Sequence, residues 1–218
     1  MKPDQTLAWM RDGTERLLTG LAGLPDAALK AQTALPGWNR RYLLSHVAAN
    51  AEALRNLVHW ARTGEERPMY PSPQERDAGI AAGAELPVAD LRAWIESSAA
   101  ALAADLDGLG DGPAWDAKVI TAQGLTRSAS EIPWMRVREV YVHAVDLAAG
   151  TGFGDLPAEF LTSLLDDVTV RRSSRGGGPA LIVAATDTGG RWDVAGTGTP
   201  VRHWIEWVDE TLAMGCRK

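Results

Sequence analysis

The chain has 218 residues, 45% of them hydrophobic, and carries a formal charge of −6, enough apolar material for one large core or a main domain with a small appendage. The acidic balance excludes nucleic acid and anionic membrane as expected partners, since both need a basic field, and the lone Cys216 excludes an internal disulfide or a cysteine-based zinc cluster. No run approaches the roughly 20 apolar residues of a bilayer span, and Met1-Lys2-Pro3-Asp4-Gln5 lacks the apolar core of a signal peptide, so a cytoplasmic protein with small-molecule partners is expected.

From Asp4 to Leu24 the spacing of Leu7, Met10, Leu17, Leu18 and Leu21 predicts an amphipathic helix, weakened at Gly13 by about 1 kcal/mol relative to alanine. The punctuated stretch Leu35-Pro36-Gly37-Trp38-Asn39 leads into a second helical pattern that reaches Thr63 and stops at Gly64. Glu65 to Gly83 contains Pro68, Pro71, Pro73 and Gly79 and reads as a long ordered connection with at most a short helix. A third long helix is expected from Val88 to Leu106, followed by a Gly/Asp turn at 107–112 and extended chain from Trp115 to Arg127. The fourth starts near Ser130, a candidate N-cap, with Pro133 in its first turn. Four long helices suggest a bundle, mainly α, over residues 1–155.

After Gly150-Thr151-Gly152-Phe153-Gly154 the pattern changes. A helix from Pro157 to Arg172, an apolar run Ala180–Thr186, a turn at Asp187-Thr188-Gly189-Gly190, a strand Arg191–Val194 and a last helical run Val201–Met214 predict a small α/β domain over residues 156–218.

The stretch Trp134-Met135-Arg136-Val137-Arg138-Glu139-Val140-Tyr141-Val142-His143-Ala144-Val145-Asp146-Leu147 is the most informative. At 100° per residue Arg136, Glu139, His143 and Asp146 form one stripe on a helix otherwise mostly apolar. A helix this apolar is expected to be buried, and polar groups inside a core must be paired or metal-bound. On the second helix, Arg40, Arg41, Ser45, Glu52, Arg55, Asn56, His59 and Arg62 form a solvated arc. His46 and Asn50 fall in the middle of the apolar arc opposite. Two imidazoles and a carboxylate suit Zn²⁺ with an open coordination position. The alternative is a hydrogen-bonded core histidine with Glu139 paired to Arg136 or Arg138, and spacing alone leaves both readings open.

Three blocks in order carry a family resemblance: Leu35-Pro36-Gly37-Trp38-Asn39-Arg40 with His46-Val47-Ala48-Ala49-Asn50-Ala51-Glu52-Ala53-Leu54; Met69-Tyr70 with Arg76-Asp77-Ala78-Gly79-Ile80; and Trp134–Leu147. Over most of residues 5–172 the chain resembles the mycothiol-dependent maleylpyruvate isomerase family of DinB-like metal-dependent thiol enzymes. The resemblance implies a DinB-like four-helix bundle with a small C-terminal α/β domain, zinc held by His46, Glu139 and His143, and mycothiol as thiol cofactor. It implies that a thiolate adds to the cis double bond of maleylpyruvate, the resulting single bond rotates, and elimination yields fumarylpyruvate. Arg136 and Arg76 are the candidate cations for this small dicarboxylate. The alternatives are a zinc-dependent thiol S-transferase acting on another electrophile and a non-catalytic metal-binding module. Family members end near Trp-Leu-x-Gly-Arg, with an arginine associated with activity. This chain ends Gly215-Cys216-Arg217-Lys218, and that role is not transferred to Arg217.

Overall fold

In the computed structural model, residues 3–186 and 189–205 are described. The chain divides into two units, residues 1–149 and 150–218. The first is built on helices α1 (Pro3–Ala22), α2 (Arg40–Thr63), α3 (Pro73–Ala84), α4 (Val88–Asp107) and α5 (Ile132–Asp146), with a small hairpin of β1 (Lys118–Ile120) and β2 (Thr126–Ser128) before α5. The four long helices form the expected mainly α bundle: α1 packs on α5, α5 on α2, and α2 on α4, whereas α1 touches α4 only sparingly. Leu17 and Leu21 of α1, Leu43, Leu44 and Val47 of α2, and Leu91 and Ile95 of α4 close one core cluster. Each such side chain contributes about 1.5–3 kcal/mol by leaving water. No helix among the described residues is long and apolar enough to cross a membrane.

Local chemistry explains where the helices begin. Leu35-Pro36-Gly37-Trp38 is a turn with Trp38 N donating to Leu35 O at 3.0 Å. Gly37 sits at φ 80°, the left-handed position that a turn with proline one place earlier requires. Asn39 Oδ1 then accepts from Tyr42 N at 2.9 Å and caps α2. Arg40, the first residue of α2, donates to Leu147 O at 2.7 Å and Ala148 O at 2.9 Å, so it satisfies carbonyls at the end of α5. Gly13 is also explained: a Cβ there would lie 2.6 Å from Val140 Cγ2 and 3.1 Å from Tyr141 Cδ1. Its absence is what lets α1 and α5 approach.

Several boundaries differ from expectation. The connection 65–83 contains the twelve-residue α3, because Pro73 occupies the first helical turn, where a missing N–H costs nothing, and Ser72 Oγ accepts from Glu75 N at 3.0 Å. That helix covers Ser45, which was expected in solvent. Ser45 is buried and donates to Ile80 O at 2.7 Å, and Gly83 lies against Ser45 Oγ and the Trp94 ring. Ser130 is not the cap of α5. A capping box of Ser128 and Glu131 starts a short 3₁₀ turn, Ala129–Glu131, that runs into the helix.

In the second unit α6 (Ala158–Arg175) precedes a three-stranded sheet of order β4-β3-β5, with β3 at Pro179–Ala185, β4 at Arg191–Val194 and β5 at Thr197–Ile205. β4 is antiparallel to β3 and β5 parallel to it. Trp192 Nε1 donates to Asp166 Oδ1 at 2.7 Å and ties β4 to α6. The expected helix Val201–Met214 is corrected over its first part, since Val201–Ile205 belongs to β5. A short Val/Trp/Ile run suits either element, and the open edge of β3 decided it. Residues 206–214, Cys216, Arg217, and Asp187 and Thr188 of the expected turn lie outside the described residues.

Candidate metal centre

The α2–α5 seam is where the bundle stops being apolar. His46 projects from α2 and Glu139 and His143 from successive turns of α5. One ligand atom from each lies within 4.8 Å of the other two. His46 Nε2 is 2.9 Å and His143 Nε2 3.4 Å from the same oxygen, Glu139 Oε2. Metal–ligand bonds of about 2.0–2.1 Å in a tetrahedron separate neighbouring ligand atoms by roughly 3.3 Å. The donor set therefore fits a small divalent ion in composition and spacing.

The two histidines are electrostatically unequal. Burial lowers the pKa of His46, and the Glu139 carboxylate offsets this only in part. Burial pulls the same way on His143, but hydrogen bonds to Asp146 and Glu139 outweigh it and push the imidazole up to about 9. Burial alone would raise Glu139, and the hydrogen bonds from His143 and His46 instead hold it well below the carboxylate range. Without a metal the site is thus a neutral imidazole, an imidazolium and a carboxylate. His143 Nδ1 donates to Asp146 Oδ2 at 2.9 Å, which orients the ring with Nε2 toward Glu139.

Trp38 walls the site, edge-on to His46 with centroids 5.1 Å apart and at 29° to the His143 ring at 6.3 Å. Arg76, near the start of α3, places Nη2 3.4 Å from His46 Nδ1. Its guanidinium lies 5.7 Å from the Tyr70 ring centroid, and its Nη1 pairs with Asp77 at 2.6 Å. Tyr70 is raised by burial, against the opposing charge of Arg76.

Arg136 does not sit where a substrate cation was expected. It is 1% exposed, and its Nη1 donates to Val47 O at 2.7 Å and to Asn50 Oδ1 at 2.9 Å, bracing α5 against α2. The stripe position was right for the helix face, but a long side chain there crosses the bundle instead of reaching its mouth. Asn50, beside His46 on the same face, is thereby committed to Arg136. His59 pairs with Glu65 at 3.4 Å, away from the three donors. Sequence reasoning left Asp146 unassigned, although its i,i+3 spacing from His143 is the signal that such a partner leaves. Tyr70 carried no signal of its own, because only the fold of the 65–72 segment brings it under Arg76.

No curated protein matches the chain by sequence. Among solved structures, a mycothiol-dependent maleylpyruvate isomerase is similar at 37% identity and TM-score 0.93 over 99% of this chain and 89% of that one. A histidine-to-alanine mutant of that isomerase has the same values. YfiT from Bacillus subtilis, a probable metal-dependent hydrolase with an unusual four-helix bundle topology, is similar at 15% identity and TM-score 0.56 over 67% of this chain and 83% of that one, a likeness of fold alone. Residues 10–148 match the mycothiol maleylpyruvate isomerase N-terminal domain, and the chain belongs to that enzyme family.

Proposed function

We propose that the protein is a mycothiol-dependent isomerase that converts maleylpyruvate to fumarylpyruvate, with His46, Glu139 and His143 holding a divalent metal, zinc by its donor preference. The observation that carries this reading is the convergence of two imidazoles and a carboxylate, 2.9 and 3.4 Å apart, in an otherwise apolar bundle. The likeness to a solved isomerase over nearly the whole chain supports the substrate and the thiol. When bound, the metal would supply acidification of the cofactor thiol, so that a thiolate is present at neutral pH. Trp38 would exclude water from one side of that sulfur.

Arg76 is the cation for the substrate carboxylates. In the metal-free geometry the neutral His46 donates from Nε2 to Glu139, and its Nδ1 accepts from Arg76. An imidazole that commits Nε2 to a metal carries its proton on Nδ1. Arg76 is only a donor, so it would then have no acceptor on His46, and its Nη2 would be available to a carboxylate while Nη1 stays with Asp77. Arg136 and Asn50 hold α2 and α5 at the separation that the three donors need.

The test is elemental analysis of the purified protein together with a mycothiol-dependent assay on maleylpyruvate. The reading expects about one zinc per chain and conversion of the cis to the trans double bond. Conjugation of other electrophiles without isomerisation would move the assignment to a thiol S-transferase. Full zinc with no turnover of either kind would make the chain a non-catalytic metal-binding module.

A further inference from the structure

The segment between α2 and α3 is held from two sides. Asn56 Nδ2 of α2 donates to Pro68 O at 3.2 Å and to Met69 O at 3.3 Å. From the other side Ala122 N, in the turn of the β1–β2 hairpin, donates to Met69 Sδ at 3.2 Å. Pro71 follows Tyr70, and a residue before proline favours extended backbone. The place of Tyr70 is therefore fixed by its neighbours in the chain, a loop side chain presented by a braced backbone.

Two aromatic side chains stand at opposite ends of the three donors. Trp38 meets the rings of His46 and His143. Tyr70 is at the Arg136 end of the stripe: its ring is 5.7 Å from the Arg76 guanidinium, and the charges that act on its hydroxyl are those of Arg76, Glu139 and Arg136. Both arginines can only donate, and the Glu139 carboxylate is taken by the two histidines. Among the described residues no acceptor holds the phenol proton. Tyr70 is half-buried, and its oxygen, unlike Arg136 Nη2, is not sealed from solvent. Burial raises its pKa from 10.0, so at neutral pH it is an uncharged O–H donor beside two cations.

Addition of a thiolate to an alkene conjugated with a ketone moves charge. The S–C bond forms, the alkene π pair shifts toward the carbonyl, and the ketone oxygen becomes the oxyanion of an enolate. The former alkene bond is then single and rotates. On elimination the pair returns, the S–C bond breaks and the thiolate leaves. No proton is consumed, so the protein contributes most through a donor that binds the oxyanion more strongly than the ketone.

We propose that Tyr70 is a catalytic residue of this reaction, its hydroxyl donating to the ketone oxygen as that oxygen becomes an enolate, with Arg76 beside it on a substrate carboxylate. The proposal rests on the isomerase reading and adds to it the group that receives the transferred charge. A phenol suits that task because its hydrogen bond strengthens as the acceptor becomes an anion.

The test compares the original chain with Tyr70→Phe in three readouts: metal content, kcat and KM for maleylpyruvate with mycothiol, and the thiolate-to-cobalt absorption when mycothiol is added to cobalt-substituted protein. The substitution removes only an oxygen that no acceptor among the described residues uses, so the fold is expected to be unchanged. Tyr70→Phe should keep full metal and the cobalt–thiolate band, and lower kcat about 100-fold with KM for maleylpyruvate moved less than about threefold. Loss of the metal or the band together with kcat would make Tyr70 a structural or thiol-site residue and overturn the proposal. An effect confined to KM, or a kcat within about twofold of the original, would overturn it as well. An original chain that shows the cobalt–thiolate band but does not isomerise maleylpyruvate would refute the isomerase reading, and the proposal with it.

Discussion

Toward α1, helix α5 is packed closely, with Gly13 presenting no side chain to Val140 and Tyr141 and the Tyr141 hydroxyl donating to Asp12 across the seam at 2.7 Å. Toward α2 the same helix presents Arg136, Glu139 and His143, and the meeting is made by hydrogen bonds and charge. One face is packed for stability, and the other carries the three proposed metal donors. The polar face is tolerable because Arg136 Nη1 and Glu139 are partnered across the seam and His143 by Asp146, and because the apolar face opposite anchors the helix. The comparison predicts that substitutions on the two faces separate cleanly into those that change metal and turnover and those that change stability.

The largest effect is expected at Glu139. Glu139→Gln removes the anionic donor shared by both histidines and should leave the purified protein without metal and turnover lower by about three orders of magnitude, corresponding to about 4 kcal/mol of charge stabilisation. Stoichiometric metal in that variant would break the assignment of the polar face. Next, Asp146→Asn should weaken metal affinity about 10–100-fold by loosening the His143 ring, measurable by competition with a chelator, while the metal-free unfolding midpoint moves little.

On the other face two terms oppose at Gly13. Alanine gains about 1 kcal/mol of helix propensity, but its Cβ meets Val140 Cγ2 at 2.6 Å, and overpacking costs about 1–3 kcal/mol. Val140, β-branched on a helix, has essentially one rotamer and cannot turn away. Gly13→Ala should therefore destabilise by about 1–2 kcal/mol in denaturant unfolding with zinc stoichiometry unchanged; a stabilised variant would mean that the seam is looser than its geometry.

The smallest effect, and the one that sharpens the comparison most, is pH-dependent. Burial would raise Asp12, but hydrogen bonds from Arg16 and Tyr141 hold it below its ordinary value of 3.8. A lowered carboxylate contributes stability that is present above that value and lost as pH falls through the folded pKa. Burial and the Asp12 bond raise Tyr141 above 10.0, so its contribution is complete below pH 10 and declines above it. Tyr141→Phe should cost about 1 kcal/mol between these limits, a difference from the original that shrinks below pH 4. A difference that persists to pH 2 would assign the loss to packing instead.

Arg136 and Arg76 show how far residues alone reach. Both were candidate substrate cations by residue type and position, and nothing in spacing separates them. Arg136 ends in the bundle interior because its helix face points at α2, whereas Arg76 stands at the start of a helix that prolines had disguised as a connection. Ser45 was misplaced for the same reason, since a wheel shows a helix's faces but not which of them a later segment covers.

What the sequence determined by itself is what one helix can encode: the mainly α pattern, the stop of the second helix at Gly64, and the one-turn spacing that puts Glu139 and His143 on a common face. The meeting of those two with His46, the close approach at Gly13, the committed bonds of Arg136 and the strand at Val201–Ile205 were decided only by tertiary structure. Each depends on partners 20 to 128 residues away, and periodicity is a property of a segment while packing is a property of pairs of segments.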